Sequence, residues 1–152
     1  MPVPRNDKDY DNRLRIAVYR YTIRTGNVPT VAQAAKVIGS TVRQVRSGLL
    51  RLSRTHAFML QANGELWRAA PFSAVPTAFP VSFKKRSCYA NCIWDALGIP
   101  AMLGCDAQIG ASCGCCNYEM PVEIRDGRLV PDHGIIHIAV AASEWYKDVV
   151  FT

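Results

Sequence analysis

The sequence predicts an α+β fold, with a helical N-terminal unit preceding a unit of mixed sheet and helix. Three observations carry this. Capped, apolar-periodic segments crowd into the first 54 residues, an Asn-Gly hairpin signal follows them, and short strand-like runs punctuated by turns dominate from residue 81 onward.

Residues 8–25 read as the first helix, with Leu14, Ile16, Ala17, Tyr19 and Ile23 apolar and Gly26-Asn27 as its end. Thr30 with Gln33 has capping-box spacing and opens a second helix through Val31, Ala34, Ala35 and Val37, closed by Gly39. Thr41 with Gln44 repeats that spacing before a third helix built on Val42, Val45, Leu49 and Leu52. Its outer face carries Arg43, Arg46, Arg51 and Arg54. Phe58-Met59-Leu60 and Leu66-Trp67-Arg68 flank Asn63-Gly64, a hairpin signal. Three short helices followed by a hairpin describe a winged-helix-like domain over residues 1–70. Pro71, Pro76 and Pro80 mark a linker over 71–80. Residues 87–99 read as a helix stopped by Gly98 and Pro100. Ala107–Ser112, Glu119–Ile124 and Gly134–Ala141 read as strands, with Asp126-Gly127 as a turn. Ser143 caps a last helical stretch from Glu144 to Asp148, and Val149–Thr152 is an apolar, strand-like run.

With 152 residues and 49% hydrophobic content the chain can bury a core, and 20% charge argues against wholesale disorder. No apolar run approaches the roughly 18 residues of a membrane span. No apolar signal segment opens the sequence, so a cytoplasmic location is expected. Residues 1–70 carry 12 Lys+Arg against 4 Asp+Glu, a balance of +8, whereas residues 71–152 carry 6 against 8. The basic half suits either a nucleic-acid face or a solvated helical surface. Six cysteines, Cys88, Cys92, Cys105, Cys113, Cys115 and Cys116, fall within 29 positions. In a reducing compartment such crowding points to soft-metal or nucleophile chemistry rather than to disulfides.

The chemistry-bearing segment is Ser87-Cys88-Tyr89-Ala90-Asn91-Cys92-Ile93-Trp94-Asp95. On a helix, Cys92 and Asp95 share one side, with Cβ atoms about 5–6 Å apart. A thiolate there can hold a soft metal while the acid delivers a proton nearby. Cys113-x-Cys115-Cys116 with Cys105 offers a zinc site as an alternative, and His133 and His137 read as surface or core side chains.

Tyr89-Ala90-x-Cys92-x-x-Asp95, followed by Ile99-Pro100-Ala101-x-x-Gly104, resembles the active-site segment of the organomercurial (alkylmercury) lyase family. Ala111-Ser112-Cys113, Met120-Pro121-Val122 and the stretch from Glu144 to Thr152 are similar to its later segments. The resemblance implies an alkylmercury lyase-like catalytic domain over 81–152, incomplete if the sequence is truncated. It implies protonolysis of a carbon–mercury bond to a hydrocarbon and Hg(II), with Cys92 as first mercury ligand and Asp95 as proton carrier. Cys113 takes a structural role, and Tyr89, Trp94 and Trp145 are candidate walls for the organic group. No cofactor is required. Hg(II) is the bound product, an external low-molecular-weight thiol removes it, and mercuric reductase is a possible onward partner. The family's second catalytic cysteine follows the segment resembling Val150-Phe151-Thr152, where this sequence ends. Either the sequence is truncated or this is a natural variant lacking that thiol, for which Cys88, Cys115 and Cys116 are the candidate surrogates. Two further readings stand beside the lyase: a metal-responsive, winged-helix DNA-binding protein, and a non-catalytic mercury-binding relative. The resemblance makes a nucleic-acid partner the poorer expectation.

Overall fold

The computed structural model describes residues 5–113, 115–130, 135–138, 140–145 and 147. Three helices come first: α1 (Arg5–Thr25), α2 (Val31–Ile38) and α3 (Val42–Ser53). Both expected capping boxes form, with Thr30 and Thr41 each accepting the backbone N–H three residues on and Gln33 and Gln44 returning to the cap. Two capping boxes within a dozen residues specify the sharp break between α2 and α3, and Gly39 completes it in a left-handed conformation at φ 64°. Leu14, Val18, Val31, Ala34, Val45 and Leu49 meet in a first core that Phe58 and Leu66 close from the hairpin.

Eight strands follow: β1 (Met59–Leu60), β2 (Leu66–Ala69), β3 (Phe72–Ser73), β4 (Pro80–Phe83), β5 (Arg86–Ala90), β6 (Ala107–Ile109), β7 (Val122–Arg125) and β8 (Arg128–Val130). They form one antiparallel sheet in the order β1-β2-β3-β5-β4-β6-β7-β8. With helices packed beside it, this is an α+β architecture, as the sequence predicts. Helix α4 (Ile93–Leu103) packs on β4, β5 and β6 over a second core of Phe72, Val81, Phe83, Cys88, Ala96, Ile99 and Ile109. Tyr19 and Val28 pack against both cores.

Three local expectations change. Within 71–80, expected to be linker, Phe72–Ser73 forms β3 and pairs with both β2 and β5. The stretch 87–99 is not one helix, since residues 86–90 are strand β5 and the helix begins only after Cys92. The β4–β5 turn explains the misreading. Lys84 and Lys85 both adopt positive φ, 44° and 61°, where Asn or Gly is the usual signal. Burial alternates through Cys88 and Ala90, the strand period, but both residues are too small to announce it. Finally, α4 runs through Gly98 and Pro100 to a left-handed cap at Gly104, whose N–H donates to the Pro100 carbonyl. Burial of Ile99 and Pro100 against the sheet outweighs the helix-interior cost of proline, about 3 kcal/mol. Residues 135–138 and 140–141 carry no strand, and Ala142–Glu144 is a short 3-10 turn. The rest of the expected strand 134–141, parts of the Glu144–Asp148 helix, the Val149–Thr152 run and His133 lie outside the described residues. His137 is exposed.

Two contacts tie the helices together and to the sheet. The Arg51 guanidinium donates twice to Asp11, at 2.7 and 2.6 Å, clamping α3 to α1. Arg46, exposed on α3, reaches the β1–β2 turn, donating to the Asn63 carbonyl at 2.9 Å beside Glu65. Half of the expected outer arginine face is therefore engaged within the chain. At the end of α1, Gly26 sits at φ 80°, and a Cβ there would lie 2.1 Å from the Ser87 carbonyl oxygen of β5. Gly26→Ala is expected to destabilise the fold by about 1–3 kcal/mol through both strain and collision. The midpoint of urea unfolding measures this, and an unchanged midpoint would refute the close approach.

Candidate functional site

The site grows from the β5–α4 junction. Strand β5 delivers Asn91 and Cys92, held from below by three hydrogen bonds. Thr77 Oγ1 donates to the Ala90 carbonyl at 2.6 Å, Ala90 N–H donates to the Phe79 carbonyl at 3.0 Å, and Phe79 N–H donates to Thr77 Oγ1 at 3.2 Å. Cys92 is the N-cap of α4, in an extended conformation with φ −150°, and its carbonyl accepts the Ala96 N–H at 2.9 Å. Cys92 and Asp95 do not share a helical face as residues of one helix, since Cys92 precedes the helix. They are the cap and the third residue of a first turn, so both stand at the positive end of the helix.

Burial raises the Cys92 thiol above its ordinary value. The Asp95 and Trp94 backbone N–H groups and the Arg68 guanidinium oppose this, while the Asp95 carboxylate adds to it. The sulfur completes no full cap hydrogen bond, so the amides act through their dipoles more than through a made bond. Burial likewise raises the Asp95 carboxyl, offset in part by the Asn91 amide, which donates to Asp95 Oδ2 at 2.8 Å, and by Arg68. The result is an acid that holds its proton above the usual carboxylate range beside a thiol reluctant to lose its own.

Arg68, Asn91 and Tyr19 are the site residues that sequence reasoning missed. Arg68 projects from β2 and is itself lowered by burial, while Asp95 and Cys92 favour its charge. Its guanidinium stacks over the Trp67 ring at 4.5 Å. Tyr19, from α1, feels the Asp95 charge, and its hydroxyl donates to the Ala70 carbonyl at 3.0 Å. Asn91 occupies the unspecified position of the Tyr-Ala-x-Cys motif, so its place in the motif could have flagged it. Nothing in the sequence marks Arg68, because only the β2–β3–β5 pairing brings its strand alongside. Arg68→Gln is expected to slow alkylation of Cys92 by iodoacetamide several-fold at neutral pH, by removing a cation that opposes the effect of burial. An unchanged rate would show that the guanidinium does not reach the thiol's field.

The other expected residues scatter. Cys88 is not on a helical face with Cys92. It is buried in β5 opposite Val81, its thiol pushed up to about 12 by burial. At 4% exposure it gives a metal little access from solution. Tyr89 is 38% and Trp94 61% exposed. Trp145 is half-buried in the C-terminal turn, its indole N–H donating to the Val140 carbonyl at 2.9 Å. Cys113 is half-buried, and Cys115 and Cys116 are exposed, in the β6–β7 loop. Cys105 packs against the second core beyond α4. Among the described residues no three His, Cys, Asp or Glu side chains gather as a metal site, so the zinc arrangement with Cys105 does not form there. The described surface concavities are lined by α1 side chains such as Arg13, Arg20 and Arg24, and by the β4–β5 hairpin; neither includes Cys92 or Asp95.

The MerB family model, described as alkylmercury lyase, matches residues 72–152. No curated protein matches the chain. Among solved structures, one described as the mercury-bound form of MerB2 superposes with a TM-score of 0.63 at 22% identity. The alignment covers 86% of this chain and 62% of that one, so this chain spans less than two thirds of the relative's length. At that identity the likeness is one of fold.

Proposed function

This chain belongs to the alkylmercury lyase family, and from that premise we propose that it cleaves carbon–mercury bonds by protonolysis. The observation that carries the reading is the Cys92–Asp95 couple at the start of α4, with its proton-holding carboxyl and adjacent Asn91 and Arg68. Cys92 takes the organomercurial as a mercury–sulfur bond, and its thiol proton passes to Asp95. A second thiolate on mercury, from a low-molecular-weight thiol or another cysteine, pushes electron density toward the carbon. Asp95 then delivers its proton to that carbon as the carbon–mercury bond breaks. The hydrocarbon leaves, and Hg(II) remains on two thiolates for transfer to solution thiols or a mercuric reductase.

Asn91 suits both states of this proton carrier. Its amide N–H stabilises the carboxylate, and its Oδ1 is buried without a partner among the described residues. Once Asp95 is protonated, a turned Asn91 amide can accept the new O–H, so one neutral side chain serves the acid and its conjugate base. Arg68 restrains the upward drift of both pKa values without forming a permanent ion pair.

Among the described residues no helix is long and apolar enough to cross a membrane. The enzymatic test is release of benzene from phenylmercury in excess thiol, followed by gas chromatography. The chain should release benzene catalytically, and Cys92→Ser should abolish it. Equal release from Cys92→Ser would remove Cys92 from the reaction, and no release from the parent chain would sink the lyase reading.

A further inference from the structure

One hydroxyl outside the reacting couple governs how the β5–α4 junction is held. Pro80 pairs with Tyr89, so the next residues along, Phe79 and Ala90, face each other. An antiparallel ladder lets such a pair exchange both backbone bonds. Here one is made directly, from the Ala90 N–H to the Phe79 carbonyl at 3.0 Å. Thr77 Oγ1 is inserted into the other: it accepts the Phe79 N–H at 3.2 Å and donates to the Ala90 carbonyl at 2.6 Å. The loop that presents Thr77 is itself fixed. Buried Ser73 donates to the Val75 carbonyl at 2.8 Å and accepts the Val75 N–H at 3.2 Å, and Ala74 N–H donates to the Trp67 carbonyl at 2.9 Å. Only Asn91 and Cys92 separate Ala90, the last residue of β5, from the first residue of α4. Asn91 in turn donates to Asp95 Oδ2 at 2.8 Å.

We propose that Thr77 is a positioning residue for the proton carrier, setting through the Ala90 carbonyl where Asn91 and Cys92 leave the strand. The role rests on the lyase reading of Cys92 and Asp95. Without the hydroxyl, the Phe79 N–H can close directly on the Ala90 carbonyl. The ladder then gains its missing bond but draws the junction toward the loop by on the order of 1 Å, a misplacement that can cost about 100-fold in a positioned reaction. The fold loses little, because both backbone groups keep a partner. The chemistry loses more, because Asn91 then meets Asp95 at the wrong place and the acid no longer aims at the carbon on mercury.

Thr77→Val, which keeps the shape and removes the hydroxyl, should lower benzene release from phenylmercury by roughly 10–100-fold. Its kcat and kcat/KM should fall together, with the urea midpoint close to the parent. Thr77→Ser, which keeps the hydroxyl and loses only a methyl, should run at the parent rate. Full rate in Thr77→Val overturns the role. So does a Thr77→Ser rate well below the parent, including where the valine chain fails to fold. The side-chain amide resonances of Asn91 in the isotope-labelled full chain give a readout that needs no carbon–mercury bond. They should move in Thr77→Val and return in Thr77→Ser, and resonances unmoved in Thr77→Val overturn the positioning whatever the activity. If the parent releases no benzene while these resonances move and return, the lyase reading fails and the hold of Thr77 on Asn91 stands.

Discussion

Asp95→Asn is expected to lower carbon–mercury protonolysis by roughly 10²–10⁴-fold while leaving the fold at least as stable as the parent at neutral pH. The two halves have one cause. Burial holds the Asp95 carboxyl above its ordinary value, which suits it to the proposed role of proton carrier and also makes its charge costly to the fold. Below the carboxylate's unfolded pKa, both states hold the proton and the folded state carries no penalty. As pH rises toward the folded pKa, the unfolded state ionises first and stability is lost; above it, the loss is constant. The neutral amide removes that loss, keeps the size of the side chain, and still accepts from the Asn91 amide. Urea unfolding at neutral pH should therefore show the variant equal to or above the parent, and the difference should shrink below the ordinary carboxylate range. A variant that loses activity and stability together at neutral pH would make Asp95 a structural residue rather than a proton carrier.

Asp11→Ala is expected to have the largest effect on stability, about 3 kcal/mol. Asp11 is 8% exposed and receives both arms of the Arg51 guanidinium, the geometry in which a charge pair is strongest. Removing the carboxylate leaves a cation partly buried between α1 and α3. The cost stays at the lower end of the range for buried pairs, because the Arg51 side chain is 22% exposed and can turn toward Asp7, 3.9 Å away. Gly48 shows how close the helices run, since a Cβ there would meet Leu14 at 2.8 Å and Asp11 Oδ1 at 3.1 Å. Thermal melting of Asp11→Ala, Arg51→Ala and the double variant separates the pair from the individual truncations. A coupling near zero would reduce the clamp to a surface contact.

Local chemistry wrote much of the fold directly into the sequence. Thr30, Gln33, Thr41 and Gln44 form the two capping boxes that their spacing predicts, and Asn63-Gly64 turns the first hairpin. Asp126-Gly127 turns the last hairpin, between β7 and β8, where the sequence marks a turn. Where local signals are absent, the structure departs from expectation. Lys84-Lys85 turns a hairpin without Asn or Gly, and a two-residue strand hides in a proline-rich stretch. Pro100 sits inside a helix because tertiary burial outweighs its local preference.

The candidate site divides the same way. The sequence by itself marked Cys92 and Asp95 as the candidate pair, because they need only one turn of backbone between them. Tertiary structure decided their surroundings. Arg68 comes from a strand two places away in the sheet, and Tyr19 from a helix more than seventy residues upstream, so no spacing could announce either. It also decided which thiols can act. A strand register buries Cys88, while Cys115 and Cys116 stay exposed in the β6–β7 loop. Proton affinity depends on burial and on charges brought near from elsewhere in the chain, and only the assembled fold determines both.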